Sequence, residues 1–172
     1  MPLNCALQSD YSFGCDVGAG GLVEAYIIES GNISAVVESS GTLTTITKAA
    51  GKIFRKYQLV LETAAGDETI VGNRQNGTVA YEQKVTIVIN KQNVAVRNEI
   101  LLLALNTLII VVKDQNGTYR YFGRVNGLRL NDGSANSGTA LADRNGYTLN
   151  FTGKEPELAP FVSSSVIATL QS

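Results

Sequence analysis

A chain of 172 residues with 44% hydrophobic content is long enough for one domain that buries about 70% of its extended surface. Charged residues make up only 17%, against roughly 25% in soluble domains, and the net charge of −1 excludes a long-range field that steers the chain toward nucleic acid or acidic membrane. Histidine is absent, which removes the commonest general base and the commonest transition-metal ligand together.

The first twenty residues show no stable period, so 1–20 is expected to be an arm or irregular lead-in and 21–172 a single β-rich domain. The stretch lacks the basic start and apolar run of a secretory signal. Its Cys5 and Cys15 lack C-x-x-C spacing; they read as two thiols in a reducing cell or as one short-loop disulfide in an oxidising one. A strand is expected from Gly21, carrying Leu22, Val23, Tyr26, Ile27 and Ile28 and ending at Ser30-Gly31-Asn32. The Ser/Thr-rich segment 33–47 reads as one or two strands around Ser39-Ser40-Gly41.

In KIFRKYQLVLET, 52–63, the later apolar residues alternate with polar ones and predict a strand. Thr69-Ile70-Val71, bracketed by Gly66-Asp67 and Gly72-Asn73, reads as a loop or small strand. Thr78–Asn90 is a clear strand with Val85, Ile87 and Ile89 on one face and Lys84, Thr86, Val88 and Asn90 on the other. Asn93–Asn106 predicts one helix with Asn93 as cap and an apolar arc broad enough to be buried against the sheet and a neighbouring subunit. The β-branched Leu108–Asp114 that follows reads as a central strand. The apolar run Ile100–Val112, broken by Asn106 and Thr107, is too short to span a bilayer.

Asn76-Gly77, Asn116-Gly117, Asn126-Gly127, Asp132-Gly133 and Asn145-Gly146 all read as turns between strands, which argues against a helical bundle. GLRL at 127–130 is a strand, 131–142 a loop, YTLNF a strand, and 161–170 a terminal strand after a connection framed by Pro156 and Pro160. The fold class is therefore mainly β: an antiparallel sandwich or partly closed barrel with one flanking helix.

No catalytic, cofactor or metal constellation emerges. A serine or cysteine triad is excluded without histidine, and Gly18-Ala19-Gly20-Gly21 lacks the Lys-Ser/Thr of a phosphate loop. Glu155 and Glu157 flank Pro156 and read as an exposed charged loop rather than a carboxylate pair, while Asp67-Glu68, Asp132 and Asp143 lack ordered cation-loop spacing. Lys48, Lys52, Arg55 and Lys56 around Phe54 and Tyr57 form the best basic patch, read as a solvated face or subunit contact. Asn-x-Ser/Thr triplets at Asn32, Asn76, Asn116 and Asn150 carry little weight in an Asn/Thr-rich chain. Apolar residues on both faces of the strands point instead to assembly, with Tyr81, Val85, Val88, Val94, Ile100, Leu101, Tyr119 and Tyr121 as candidate interface residues. The competing reading is a carbohydrate-binding, adhesin-like module using Tyr119, Tyr121 and the 131–142 loop.

The carboxyl half, YRYFGRVNGLRLNDGSANSGTALADRNGYTLNFTGKEPELAPFV, joined to the preceding helix and LIIVV strand, resembles virion structural proteins of tailed bacteriophages, particularly small tail-tube or head-to-tail ring subunits. The resemblance lies in composition and segment order and supplies no functional residue. It implies a sandwich or barrel with one flanking helix, hexameric or twelve-fold rings built by intersubunit sheet pairing, and neighbouring virion proteins. It also implies non-specific passage of DNA through the ring and assembly in the host cytoplasm, while the residues themselves lead to the expectation of no membrane span, cofactor or enzymatic activity. The near-neutral charge departs from the strongly acidic lumen such a conduit suggests.

Overall fold

The computed structural model describes residues 7, 9–12, 14, 15 and 17–172, so Cys5 and part of the expected arm lie outside the described residues. What is described of 7–20 contains no helix or strand and is exposed. Ala19 is anchored there: its N–H donates to Asn116 Oδ1 at 2.8 Å and its carbonyl accepts from Asn116 Nδ2 at 2.9 Å.

The strands in chain order are β1 (Leu22–Glu29), β2 (Ile33–Ser39), β3 (Thr42–Lys48), β4 (Arg55–Gln58), β5 (Ala65–Asn73) and β6 (Thr78–Asn90). Helix α1 (Val94–Leu105) follows, then β7 (Leu108–Asp114), β8 (Tyr119–Phe122), β9 (Arg129–Asn136), β10 (Gly146–Glu155), β11 (Phe161–Val162) and the short α2 (Ser164–Ile167). They form a seven-stranded sheet in the order β2-β3-β11-β8-β7-β1-β4 and a four-stranded sheet in the order β5-β6-β10-β9. Neither sheet closes on itself, and the architecture is a mainly β sandwich.

The larger sheet is buried on both faces at its centre. In β7 all of Leu108–Val112 is buried, with Leu108, Ile110 and Val112 pointing to one side and Ile109 and Val111 to the other. Strand β1 divides the same way, Ala25 and Ile27 against Tyr26 and Ile28, and a register shift between Leu22 and Glu24 returns Leu22 to the side of Ala25. The first side meets Val85, Ile87, Leu149 and Phe151 of the smaller sheet. The second is closed by Leu43 and Ile46 of β3 together with Phe54, Val166 and Leu170. Phe54 N–H donates to the Leu170 carbonyl at 2.9 Å, and Lys48 Nζ donates to the carbonyls of Thr169, Leu170 and Ser172, so the carboxyl-terminal turn is tied down over this second core.

Several expectations need correction. The 52–63 strand shrinks to Arg55–Gln58, because Phe54 turns into the second core and the chain folds back at 60–63, where Thr63 Oγ1 donates to the Val60 carbonyl at 2.6 Å. The small Thr69–Val71 element grows to nine residues, since it pairs in unbroken register with the long β6. The 131–142 loop begins only after Asn136, and the terminal strand is two residues followed by a helical turn that sends Val166 and Leu170 to the same core. Asp132-Gly133 and Asn145-Gly146 are not turns. Gly133 and Gly146 sit inside paired strands, where a Cβ would press on the carbonyl oxygens of Thr148 and Ile89, so glycine is required there for close backbone approach.

Because the two cores are separate, Phe54→Ala is expected to remove about 3–5 kcal/mol of stability in urea unfolding although Phe54 lies outside the intersheet core. Leu61→Ala, at an exposed position, is expected to change it by less than about 0.5 kcal/mol.

Candidate assembly surfaces

The two sheets end differently. The larger sheet ends on β2, which carries register shifts at Ile33/Ala35 and Val37/Glu38, and on β4, which is four residues long and begins with Arg55 and Lys56. Such irregular, short or basic edges discourage further pairing. The smaller sheet ends on β5, nine residues in unbroken register with β6, and on β9, eight residues with one irregularity opposite Asn150/Phe151. Neither β5 nor β9 contains proline or lysine. A long regular edge leaves a row of backbone donors and acceptors free to pair with another chain.

The β5–β6 hairpin also carries the core face beyond the core. Gly66/Val85, Glu68/Gln83, Ile70/Tyr81 and Gly72/Val79 are cross-strand pairs on one face, the face on which Val85 is fully buried. Further out along it, Ile70 is 65% and Val79 56% exposed. Helix α1 repeats the pattern. Its start is fixed by Asn93 Oδ1, which accepts from Val96 N–H at 2.8 Å as the sequence suggests, and its end by Asn106 Nδ2, which donates to the Leu102 carbonyl at 2.8 Å. Only one side meets the core, through Leu103 and Ile100, while Val94 and Leu105 are 74% and 82% exposed and Leu101 and Leu102 lie bare beside them. The expected burial of the whole apolar arc is thus corrected: the sheet covers one side and the chain itself leaves the other uncovered.

The candidate interface residues fall into distinct environments. Val94 and Leu101 are on the exposed side of α1, Tyr81 and Tyr119 are half-buried, and Ile100 packs against the first core. Val85, Val88 and Tyr121 are buried within the chain and are unavailable as surface contacts. The carbohydrate-binding reading loses Tyr121 for the same reason: strand alternation sends Tyr121 into the second core and its neighbour Phe122 into the first. Burial also pushes the Tyr121 hydroxyl pKa well above its ordinary value. Ile70, Val79 and Leu102 were missed. The Asn76-Gly77 turn read in the sequence places Ile70 and Val79 on the two arms of one hairpin, but a turn signal does not show how far the paired arms run beyond the core.

The basic patch separates as well. Phe54 is buried, Lys48 binds the carboxyl-terminal carbonyls, and Lys56 pairs with Glu24 at 2.8 Å. Burial alone would raise the Glu24 pKa, but hydrogen bonds from Lys56 and from Tyr26 hold it below the ordinary carboxylate value.

The carboxylates singled out in the sequence hold loops. Glu155, 1% exposed, accepts from the backbone N–H groups of Val125, Asn126 and Gly127, each at 2.9 Å. Glu68 accepts from Ala159 N–H at 2.7 Å, from Gln83 Nε2 at 3.1 Å and from Arg120 at 3.2 Å, while buried Gln83 accepts from Gly123 N–H at 2.9 Å. Glu157 and Glu38 share Arg124. Asp143 accepts from Ala140 and Thr139 N–H, which lowers its pKa. Among the described residues no group of three or more His, Cys, Asp or Glu side chains is placed to hold a metal ion, and Cys15 is exposed and free.

The crevice between α1 and β1/β4 measures about 240 Å³. Tyr57 lines it and donates to Glu99 at 3.1 Å; burial and then the Glu99 charge push its hydroxyl pKa up. No described helix is long and apolar enough to cross a membrane. Comparison with family models, curated proteins and solved structures returns no match.

Replacing Glu155 by Gln leaves three backbone donors facing one carbonyl oxygen and one amide. The expected result is a loss of about 1.5–3 kcal/mol, together with faster hydrogen exchange at 123–127 than in a Lys154→Gln control.

Proposed function

We propose that this chain is a structural subunit that joins copies of itself, the β5 edge of one against the β9 edge of the next. Those edges lie at opposite ends of one sheet, so the contact is head-to-tail and repeats, giving a ring where the rotation closes. The observation that carries this reading is the contrast between the long edges of the smaller sheet, β5 unbroken and β9 with a single irregularity, and the short or repeatedly irregular edges of the larger one. The uncovered side of α1 and the outer part of the β5–β6 hairpin supply apolar area for the same kind of contact.

The resemblance of the carboxyl half supports placing such a ring, of six or twelve copies, in the tail or head-to-tail region of a phage virion. There it would adjoin other virion proteins and form part of the DNA conduit. In a closed ring the channel wall would be the face of the smaller sheet turned from the core. Along it Thr86, Asn150 and Asp132 form a hydrogen-bonded row, and Asp67 and Glu82 are interspersed with Lys84 and Lys154. Such a wall is hydrated and mixed in sign. Arg129, opposite Thr152, joins the two lysines, so three bases are balanced by the three acids Asp67, Glu82 and Asp132, which suits passage rather than tight binding of a polyanion.

Light scattering across concentrations, with imaging of any large fraction, tests this directly. The native chain is expected to give a discrete ring, and Ile70→Lys/Val71→Lys, which places charge on the β5 edge, to give a monomer of unchanged circular dichroism. A native chain that stays monomeric at every concentration, or a variant that assembles equally well, would contradict the proposal.

A further inference from the structure

Four Asn-Gly pairs stand in this chain, at 76–77, 116–117, 126–127 and 145–146. In such a pair the deprotonated glycine nitrogen can attack the asparagine side-chain carbonyl carbon. The bond from that carbon to the side-chain nitrogen breaks, ammonia leaves, and a cyclic imide remains that water opens to aspartate or isoaspartate, with no change of oxidation state. The step needs an asparagine side chain free to swing, a glycine N–H not held elsewhere, and space for the ring to close.

The fold denies these conditions at three of the pairs, each time differently. Asn116 is gripped through both side-chain atoms by Ala19. Asn126 Nδ2 donates to the Lys154 carbonyl at 2.8 Å, and the buried Gly127 spends its N–H on Glu155 at 2.9 Å. Gly146, after Asn145, is buried between Asn90 and Asn136 on the two flanking strands, against the Ile89 carbonyl. The pair at the tip of the β5–β6 hairpin is open. Asn76 is exposed and its side-chain amide has no hydrogen bond among the described residues. The Gly77 N–H makes a single long contact of 3.3 Å to the Arg74 carbonyl, and nothing lies within 4 Å of where a Gly77 Cβ would stand.

We propose that Asn76 is a self-modifying site, at which the folded chain deamidates spontaneously while the other three pairs persist. The product places a negative charge beside Arg74, and the isoaspartate form adds a methylene to the turn that sets the β5–β6 register. The inference concerns the single chain and stands apart from the assembly reading.

The test is to age the folded full-length chain in warm, mildly alkaline buffer and follow the amide-to-acid mass gain at each pair by peptide mapping. Asn76 is expected to convert about tenfold or more ahead of Asn126, the lower end of what one hydrogen bond to a charged group is worth. In urea-unfolded chain the four should convert at comparable rates, and Asn76→Gln should abolish the early product. Conversion of any other pair as fast as Asn76 in the folded chain, or an Asn76 slowed by folding as much as the others, would overturn the proposal.

Discussion

Burial of β1 and β7 on both faces is the constraint from which the rest of this structure follows. Five consecutive apolar residues, Leu108–Val112, cannot be satisfied by a single layer, because strand alternation sends them to opposite sides. The chain therefore builds two cores on one sheet. The smaller sheet covers one face, and β3, Phe54 and the carboxyl-terminal turn cover the other. The smaller sheet is left covered on one face only, with two long edges free. Surfaces open to another chain thus collect on it and on α1, which packs on the first core through Leu103.

Ionisable side chains are drawn into holding this arrangement together. Glu68 on β5 and Gln83 on β6 reach Arg120 of β8 and the backbone at Gly123 and Ala159, linking the two sheets at the rim where the apolar contacts end. Glu155 fixes the adjoining 125–127 loop with its full complement of acceptors. Carboxylates bound in this way have their oxygens occupied by neighbouring donors.

Much of the fold is legible in the amino-acid pattern wherever one local rule decides the outcome. The boundaries of β6, the Asn93 cap of α1 and the central position of Leu108–Val112 follow from alternation, side-chain capping and β-branched content. The failures occur where a distant partner decides. Asp132-Gly133 carries a turn signal, yet β10 holds it in a strand; Ser164–Ile167 reads as extended, yet the second core needs Val166 and Leu170 on one side of a helical turn. Val85, Val88 and Tyr121 looked available because strand periodicity separates faces without showing what covers each one. The exposed edge of β5 was hidden for the opposite reason: its glycines and acids disguise a strand that exists because β6 is long enough to pair with it.

Which edges join copies is the central claim, and hydrogen exchange followed as a function of protein concentration tests it most directly. The account predicts that outward amides of β5 and β9 become protected together as concentration rises, while those of β2 and β4 do not change. Equal exchange at β5 and β9 at all concentrations, or protection appearing at β2 or β4 instead, would contradict it.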